Sequence, residues 1–385
     1  KYKLNKVTRP TDKDDEVITC FRDGVVTLRK NRREDGFTVS LKEHGYQQIC
    51  PGDLVVHEMD GFEGAIGISD SKGKSTPVYT VIEPNQNTDL RYIAYLLRVM
   101  SKTGKIESLA RSIRERTTDF RWNMWSVINF PFPPIKEQKE ISKYLDKKTN
   151  EIDLLIVKIK RKIELLQEQK NAIIHQYITK GLDKDAEMKS SGIEWIGDIP
   201  KNWNLIKVRY LCDISTGSKD TQDNDEEGIY PFFVRSPKIQ RINSFSFDGE
   251  AVLTSGDGAG VGKIFHYFNG KFDYHQRVYK FSNFKNISGR FFYWFFKEHF
   301  SYEILRWNAK STVDSVRLPL IQNFPIVIPS IDTQKNILEV IEKYASRIDQ
   351  LLVRLEKKIQ LLREYRQSLI SSVVTGKIRI TENMI

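Results

Sequence analysis

Apolar residues recur at every seventh position along two long stretches of the chain. The two rows run through Leu145, Ile152, Ile159, Leu166 and Ile173, and through Ile341, Ile348, Leu355, Leu362 and Leu369. Residues 136–179 contain no proline or glycine, so nothing in the first stretch interrupts a helix. A seven-residue apolar period is typical of helices that pack against another helix. We therefore predict two helices of about 45 residues, each about 65 Å long, that pack against each other; the alternative is that each lies along its own domain.

The two stretches are copies of one segment. Residues 133–179 align with residues 329–375 at a constant offset of 196 without a gap, and 17 of the 47 aligned positions are identical. The identical pairs include Pro133/Pro329, Gln138/Gln334, Asp153/Asp349 and Lys162/Lys358. Weaker similarity continues upstream, where VYTV at 78–81 resembles VYKF at 278–281. A repeat this long indicates two duplicated domains rather than a solenoid of short repeats.

Outside the long stretches the pattern changes to short apolar or aromatic runs separated by glycine, asparagine and aspartate. Runs such as DLVVHEM, AIGIS and VYTVIE in the first half, and YPFFV, AVLTS and RVYKF in the second, predict strands joined by tight turns. The apolar runs RYIAYLLRVM (91–100) and RFFYWFFKEHF (290–300) predict one helix in each half. Each globular part is therefore predicted to be α+β and to be followed by its long helix.

These patterns divide the chain into four predicted segments. They are a first globular domain at 1–132, a first long helix at 133–182, a linker with the second globular domain at 183–328, and a second long helix with a tail at 329–385. The second unit opens with GIEWIGDIPKNW, which has no counterpart in the first, and LNKVTRP near the start aligns with LIKVRY at 205–210. We therefore expect the first domain to be clipped at its N-terminus.

Composition and charge narrow the possible partners and the compartment. The 61 Lys and Arg residues against 50 Asp and Glu residues give a net charge of +11, which favours a polyanion such as DNA or RNA. Cys20, Cys50 and Cys212 are scattered and lack metal-ligand spacing, which favours a reducing intracellular compartment. No apolar run reaches the length of a membrane span, and the polar start is not a signal peptide. We therefore expect a soluble, cytoplasmic protein without membrane partners.

The sequence contains no motif with the residues that a catalytic site would need. The glycine-rich segment 255–265 departs from the phosphate-binding P-loop because Asp257 occupies the first glycine position and Ile264 follows Lys263 where Ser or Thr is required. The segment could be a hairpin whose backbone approaches a ligand, or a plain tight turn. The six histidines form no metal-ligand cluster, and no carboxylate pair is spaced for acid–base catalysis. We therefore predict neither catalytic nor metal-binding residues.

Basic residues interleaved with aromatic residues are the candidates for contact with nucleic acid. In the first half they are Arg29, Lys30, Arg32, Arg33, Arg111, Arg114, Arg116 and Arg121. In the second half they are Arg235, Lys238, Arg241, Lys263, Arg277, Arg306, Lys310 and Arg317. Arginine makes bidentate contacts with guanine or phosphate, whereas lysine mostly supplies charge. Any single one of these residues could equally be a solvated surface charge, but together they favour a DNA-binding surface.

The sequence resembles the specificity subunit of a type I restriction–modification system. The resemblance rests on FPFPPIKEQKEI before the first long helix, YITKGL at its end, the opener SGIEWIGDIPKNW, FPIVIPSIDTQKNI before the second helix and SVVTGKI at its end. It implies an α+β fold with two similar target-recognition domains. These would be joined by two long antiparallel helices that form a coiled coil with pseudo-two-fold symmetry.

The resemblance also implies a function. Such a subunit reads a bipartite, gapped site on double-stranded DNA, docks two methyltransferase subunits and, in the full complex, two restriction subunits. It has no catalysis and no cofactor of its own, and S-adenosylmethionine is expected on the methyltransferase only.

Three alternatives stay open at the level of sequence. The chain could be a coiled-coil adaptor that binds RNA or protein, or the specificity subunit of a related bipartite type II system. A self-contained methyltransferase or nuclease is disfavoured, because the motifs that such enzymes need are missing.

Overall fold

The computed structural model describes residues 3–32, 44–109, 120–308 and 315–384. The chain divides into two compact units: unit 1 comprises Lys1–Lys160 with Glu356–Ile385, and unit 2 comprises Arg161–Leu355. Each unit contains one globular part and about half of each long helix, which confirms the predicted α+β class. The boundary between the two units runs through both long helices, so it does not test the four segments predicted from the sequence. Those segment boundaries stay a prediction.

Unit 1 is built on short antiparallel strands. The strands are β1 (Asn5–Val7), β2 (Ile18–Cys20), β3 (Val26–Leu28), β4 (Gln47–Ile49), β5 (Leu54–His57), β6 (Ile66–Ile68), β7 (Gly73–Ser75) and β8 (Tyr79–Glu83). The helices are α1 (Leu90–Lys102), α2 (Lys105–Leu109), α3 (Trp122–Trp125) and α4 (Ile135–Lys180), of which α4 continues into unit 2. One antiparallel sheet has the strand order β1-β8-β5-β6, and β2–β3 and β4–β7 form separate antiparallel pairs.

Helix α1 covers the core of unit 1. Its first turn is capped by Asp89, whose side chain accepts hydrogen bonds from the backbone N–H groups of Arg91 and Tyr92. One face of the helix is apolar and buried, and it lies against β5 and β6. The residues of that face are Tyr92, Ile93, Leu96, Leu97 and Met100. Each fully buried side chain of this size stabilises the fold by about 1.5–3 kcal/mol.

Unit 2 has a larger sheet. Its strands are β9 (Met188–Ser190), β10 (Asp198–Pro200), β11 (Asn204–Lys207), β12 (Asp213–Thr216), β13 (Tyr230–Phe233), β14 (Gln240–Ile242), β15 (Phe247–Ser255), β16 (Phe265–Tyr274), β17 (Val278–Ser282) and β18 (Pro325–Ile328). Its helices are α5 (Gly289–Asn308), α6 (Leu318–Asn323) and α7 (Ile331–Val374), of which α7 continues into unit 1. The six-stranded order is β12-β17-β15-β16-β13-β14, with β13 parallel to β16, and β9–β10 and β11–β18 form separate pairs.

Four strands of each unit follow the same plan. The order β1-β8-β5-β6 in unit 1 matches β12-β17-β15-β16 in unit 2, and all of these pairs are antiparallel. In this correspondence β1 is equivalent to β12, whereas the sequence alignment placed LNKVTRP on β11. The strand pairing therefore shifts the alignment of the first strand by several residues. Unit 2 also has two strands, β13 and β14, beyond the four that the units share.

A buried glutamine fastens each long helix to its globular part. Gln138 Oε1 accepts a hydrogen bond from the Asp89 N–H at 3.0 Å, and its Nε2 donates to the Pro133 carbonyl at 2.8 Å. In unit 2, Gln334 Oε1 accepts from the Ser288 N–H at 2.9 Å, and its Nε2 donates to the Pro329 carbonyl at 3.0 Å. Both side chains are fully buried. The proline and the glutamine that are identical in both copies of the repeat therefore form the same hydrogen bonds in each unit.

An ion pair repeats about two turns further along each helix. Arg91 Nη1 lies 3.0 Å from Asp146 Oδ2, and Arg290 Nη1 lies 2.9 Å from Glu342 Oε2. The offset of 196 relates Asp146 to Glu342. Because α1 and α5 present an arginine at the same position, both helices meet the long helices in the same way.

The long helices pair antiparallel within each unit. In unit 1, Arg366 Nη2 lies 3.1 Å from Asp153 Oδ2, and in unit 2, Lys170 Nζ lies 2.5 Å from Asp349 Oδ1. The residue numbers of both pairs add to the same total, as antiparallel helices in one register require. The repeat offset also converts one pair into the other, so the same contact is made twice. The predicted antiparallel pairing is thereby confirmed within each unit.

The ten residues predicted to form the helix seam are all at least half-buried. Leu145, Ile152, Ile159, Ile341 and Leu369 are buried, and Leu166, Ile173, Ile348, Leu355 and Leu362 are half-buried. The apolar rows therefore lie on the covered side of each helix, as their period indicates. Their individual partners across the helix pair stay a prediction.

Candidate nucleic-acid interface

Three of the basic residues predicted in unit 1, Arg29, Lys30 and Arg32, are held by local partners. They lie on and just after a single 3-10 turn, Arg29–Asn31, that follows β3. Arg29 Nε donates to Thr19 Oγ1 at 3.2 Å, and Lys30 Nζ lies 2.6 Å from Glu16 Oε1. Each of these cations is partly neutralised or oriented by a neighbour, so the turn presents positioned groups rather than loose charges.

Arg32 completes this turn and makes a two-pronged ion pair with Asp23. Its Nη1 donates to Asp23 Oδ1 at 2.8 Å, and its guanidinium carbon lies 4.4 Å from the centre of the Phe21 ring. Burial acts to raise the pKa of Asp23, but the hydrogen bond from Arg32 and the one from the Val25 N–H outweigh it and lower the pKa. Arg29 and Arg32 both line one cleft of about 790 Å³.

Arg22, which lies outside the predicted basic clusters, reaches the turn between β5 and β6. The turn Gly61–Glu63 is preceded by Asp60, and Arg22 Nη2 donates to Asp60 Oδ1 at 3.2 Å. Arg22 Nη1 also makes an ion pair with Glu63. Arg22 stands outside the basic clusters of the sequence, so only the fold shows that it joins this turn.

In unit 2 the structure brings two predicted residues together on one carboxylate. Arg235 follows β13, Arg277 precedes β17, and Asp257 begins the turn between β15 and β16. Arg235 Nη1 donates to Asp257 Oδ1 at 3.0 Å, and Arg277 Nη1 donates to Asp257 Oδ2. Burial acts to raise the pKa of Asp257, but the hydrogen bonds from Arg277 and Arg235 outweigh it and lower the pKa.

The two turns occupy equivalent places in the shared strand plan. Gly61–Glu63 joins β5 to β6, Gly258–Gly260 joins β15 to β16, and these strand pairs correspond. An aspartate stands immediately before each turn, and each aspartate holds arginine: Asp60 in unit 1 and Asp257 in unit 2. The glycine-rich segment is therefore a hairpin turn. Asp257, which stands where a P-loop has its first glycine, holds the arginines at this turn.

The remaining predicted residues are dispersed or undescribed. Those with exposed side chains are Arg121 before α3, Lys238 and Arg241 around β14, Lys263 after the glycine-rich turn and Arg317 before α6. Arg306 lies in α5, but its side chain falls outside the described part of the chain. Arg33, Arg111, Arg114, Arg116 and Lys310 lie outside the described residues. The structure therefore tests the grouping of only some of the candidates, and their contact with DNA stays a prediction.

The chemistry of these groups suits recognition of an anion or of base edges. Guanidinium groups donate to phosphate oxygens and to guanine, and carboxylates that hold them fix their direction. Within the described ranges, no group of three or more His, Cys, Asp and Glu side chains is arranged to hold a metal ion. Every helix in the same ranges is too short or too polar to cross a membrane.

Sequence comparison identifies the class of protein that carries this fold. A family model described as "Type I restriction modification DNA specificity domain" matches residues 37–165 and 200–361. Because the match covers well over half of the chain, the chain belongs to the family of type I restriction–modification specificity subunits. The resemblance stated from the sequence motifs is thereby confirmed, and membership implies DNA and a methyltransferase as partners.

Two specificity subunits show the similarity over long alignments. The chain is 29% identical over 182 residues to the type I restriction enzyme EcoDI specificity subunit of Escherichia coli, which covers 47% of this chain and 40% of that protein. It is 25% identical over 367 residues to the type I restriction enzyme MjaVIII specificity subunit of Methanocaldococcus jannaschii, which covers 87% of this chain and 83% of that protein. The second alignment extends through both units.

Two solved structures share the fold. One, from work on complex assembly and conformational transition of the type I R-M system, gives a TM-score of 0.68 at 13% identity and covers 97% of this chain and 98% of that chain. The HsdS subunit from Thermoanaerobacter tengcongensis gives a TM-score of 0.52 at 12% identity, with 98% and 97% covered. At such low identity these likenesses concern the fold alone.

Proposed function

We propose that each globular part reads one half of a bipartite, gapped site on double-stranded DNA. The observation that carries the proposal is the duplication inside one chain: the same four-stranded plan, buried glutamine and helix ion pair occur in each unit. A protein with two equivalent halves suits a site with two parts, as dimeric DNA-binding proteins suit two half-sites. The excess of positive charge supports DNA as the ligand.

The long helices set the separation of the half-sites in this proposal. α4 has 46 residues and α7 has 44, which corresponds to about 65–70 Å of helix. Antiparallel contacts in each unit keep the two helices in one register. A paired helix resists bending better than a single one, so the gap between half-sites is fixed by the protein.

The chain also docks two methyltransferase subunits and, in the full complex, two restriction subunits. Support comes from apolar side chains that stay exposed at equivalent positions of the helices: Val157 and Val353 are 62% and 64% exposed, and Leu165 and Leu361 are 47% and 51% exposed. Each unit contains one valine and one leucine of this set. A duplicated apolar surface suits two copies of one partner.

Replacing these valines tests the docking. Val157→Glu alone should reduce the complex from two methyltransferase subunits per chain to one, and Val157→Glu with Val353→Glu should abolish binding, because a charge opposes apolar burial. Native mass spectrometry counts the subunits. Gln169→Glu, at an exposed polar position of α4, is the matched control and should retain both. Two bound methyltransferases on the double variant would contradict the assignment.

Catalysis belongs to the partners in this proposal, the chain carries no cofactor of its own, and it works in the cytoplasm. S-adenosylmethionine is expected on the methyltransferase subunits. The test is to incubate the purified chain with DNA and S-adenosylmethionine, with and without the methyltransferase. Methyl transfer is expected only when the methyltransferase is present, and transfer by the chain alone would contradict the proposal.

Selection of DNA from a random library tests the reading function. The complex of chain and methyltransferase should recover duplexes with two short motifs at a constant gap, and binding should weaken steeply as salt rises because phosphate contacts release counterions. An adaptor for RNA or protein would recover no such duplex. A single uninterrupted motif would also contradict the proposal.

A further inference from the structure

Asp257 holds two arginines that come from different parts of unit 2. Arg235 and Arg277 each use Nη1 to donate to one of its two oxygens. No other side-chain hydrogen bond of either guanidinium occurs among the described residues. Arginine has five N–H donors, so the edge formed by Nε and Nη2 of both side chains stays available to a ligand. Both side chains are exposed, with Arg277 at 59%.

The backbone behind these arginines is fixed by hydrogen bonds. The Arg277 N–H donates to His275 Nδ1 at 3.0 Å, and the Arg277 carbonyl accepts from the Gly256 N–H at 2.8 Å. The His275 N–H donates to the Phe233 carbonyl at 2.9 Å, which ties the connection between β16 and β17 to the end of β13. His275 is itself buried. The arginines therefore project from a rigid base, with their direction set by Asp257.

The turn lies so close to Arg235 and Tyr279 that a larger side chain at two of its glycines would require neighbouring atoms to shift. A Cβ atom at Gly260 would lie 3.1 Å from the Arg235 carbonyl oxygen, and one at Gly256 would lie 2.8 Å from the Tyr279 ring. Glycine at these positions lets the turn lie directly against both arginine-bearing segments. The glycine-rich sequence is thus explained by the packing that brings Asp257 to its two partners.

We propose that Asp257 positions Arg235 and Arg277 to read guanine in the half-site bound by unit 2, an inference that rests on the proposed function. In the major groove guanine presents two acceptors, O6 and N7, and the free edge of an arginine donates to both. A carboxylate that holds the other part of the guanidinium removes its freedom to rotate, so the free edge is already oriented before DNA arrives.

The negative charge of Asp257 favours base reading over simple attraction to phosphate. A site built only for phosphate gains from every positive charge, and an aspartate between two arginines reduces that attraction. Orientation is what the aspartate adds, and orientation matters for base edges. At the equivalent turn of unit 1, both terminal nitrogens of Arg22 are occupied, by Asp60 and Glu63. Arg22 therefore lacks the free edge, and Asp60 provides a matched comparison.

The test uses the complex of full chain and methyltransferase, and duplex libraries in which one half-site at a time is randomised. Asp257→Asn should lower the preference for guanine at one position of one half-site by roughly 5- to 150-fold, the worth of a bidentate contact. Affinity for DNA of random sequence should not fall, because a negative charge has been removed. Asp257→Glu should retain most of the preference, and Asp60→Asn should leave this half-site unchanged.

Arg277→Lys is the second variant, because it keeps the charge and alters an exposed side chain. It should lose guanine preference at the same position while heat unfolding of the protein stays unchanged. If Asp257→Asn and Arg277→Lys both keep the wild-type preference, the assignment is overturned, although the reading of a bipartite site stands. If the wild-type complex itself selects no bipartite site, the proposed function fails.

Discussion

The two globular parts of the chain are most alike where they meet the long helices and least alike in the strands beyond them. At the helices, Gln138 and Gln334 make the same bonds. In the sheets, β15 and β16 have nine and ten residues, whereas β5 and β6 have four and three. The geometry that attaches a domain to the helices is therefore retained in both copies, and the surface available for reading DNA differs.

The hydrophobic cores of the two units also differ. Unit 2 packs a ladder of phenylalanines from α5, including Phe292, Phe296 and Phe300, against its sheet. Unit 1 covers its smaller sheet with aliphatic residues of α1 such as Ile93 and Leu97. Attachment to the helix constrains few residues, so the rest of each domain is free to change. Comparing equivalent substitutions in the two units tests this view.

The largest effect is expected at the buried glutamines. Gln138→Met and Gln334→Met keep the volume but leave backbone groups without partners, which should lower the free energy of unfolding by about 2–4 kcal/mol. Gln334 should cost more, because its Nε2 also donates to the Asn286 carbonyl at 3.1 Å. Chemical denaturation measures both, and Gln169→Met, at an exposed position, is the control. Equal stability of all variants would mean that the glutamines do not fasten the helices.

A pH effect should distinguish helix α5 of unit 2 from helix α1 of unit 1. His299 is fully buried against the rings of His175, Trp195 and Phe295. Burial, with a smaller contribution from the charge of His175, lowers the pKa of His299 to about 3. The equivalent position in α1 is Met100.

The sign of this effect follows from the lowered pKa. Below about pH 6.5 the unfolded chain binds a proton on this histidine, whereas the folded chain does not. The contribution of His299 to the free energy of unfolding is therefore fully present above that pH and is lost as the pH decreases, by at most about 1.4 kcal/mol per pH unit. His299→Met should remove this contribution between pH 6.5 and 4.5, as followed by calorimetry. If the stability of wild type and variant decreases equally between pH 6.5 and 4.5, His299 does not cause the loss of stability in acid.

The smallest effect is expected at the ion pairs between the long helices. Double-mutant cycles on Asp153 with Arg366, and on Lys170 with Asp349, should give coupling energies of about 0.2–1 kcal/mol, because the acidic side chains are exposed. The two couplings should be similar and should shrink in high salt. Their role is to fix the register rather than to stabilise the pair. A coupling above about 2 kcal/mol in one unit alone would break the comparison.

The sequence predicts the repeated, locally determined features well. An unbroken seven-residue apolar period predicts α4 and α7, and the apolar runs predict β5, β8, β15 and β17, because these signals lie within a few consecutive residues. The correspondence of β1 with β12 is not visible in the sequence. It depends on pairing with strands more than 60 residues away.

The sequence predicts the candidate site less completely for the same reason. It indicates Arg235 and Arg277 as basic residues, but nothing local shows that Asp257 joins them. It does not indicate Arg22, because Arg22 stands outside the basic clusters and its partner Asp60 lies 38 positions along the chain. Residue type gives the chemistry of a site, whereas long-range packing decides which groups share it.

The central claim is that paired helices of fixed length hold two DNA readers apart, and one measurement tests it directly. Seven residues, copied from one heptad, are inserted into each long helix at points that lie opposite each other in the antiparallel register. The insertion points are between Lys160 and Arg161 and between Lys358 and Ile359. Methylated adenines are then mapped in DNA from cells that express the variant with its methyltransferase. Both half-sites should persist with the gap lengthened by about three base pairs, since seven residues add about 10 Å and each base pair spans about 3.4 Å. Unchanged spacing with both half-sites intact would contradict the account.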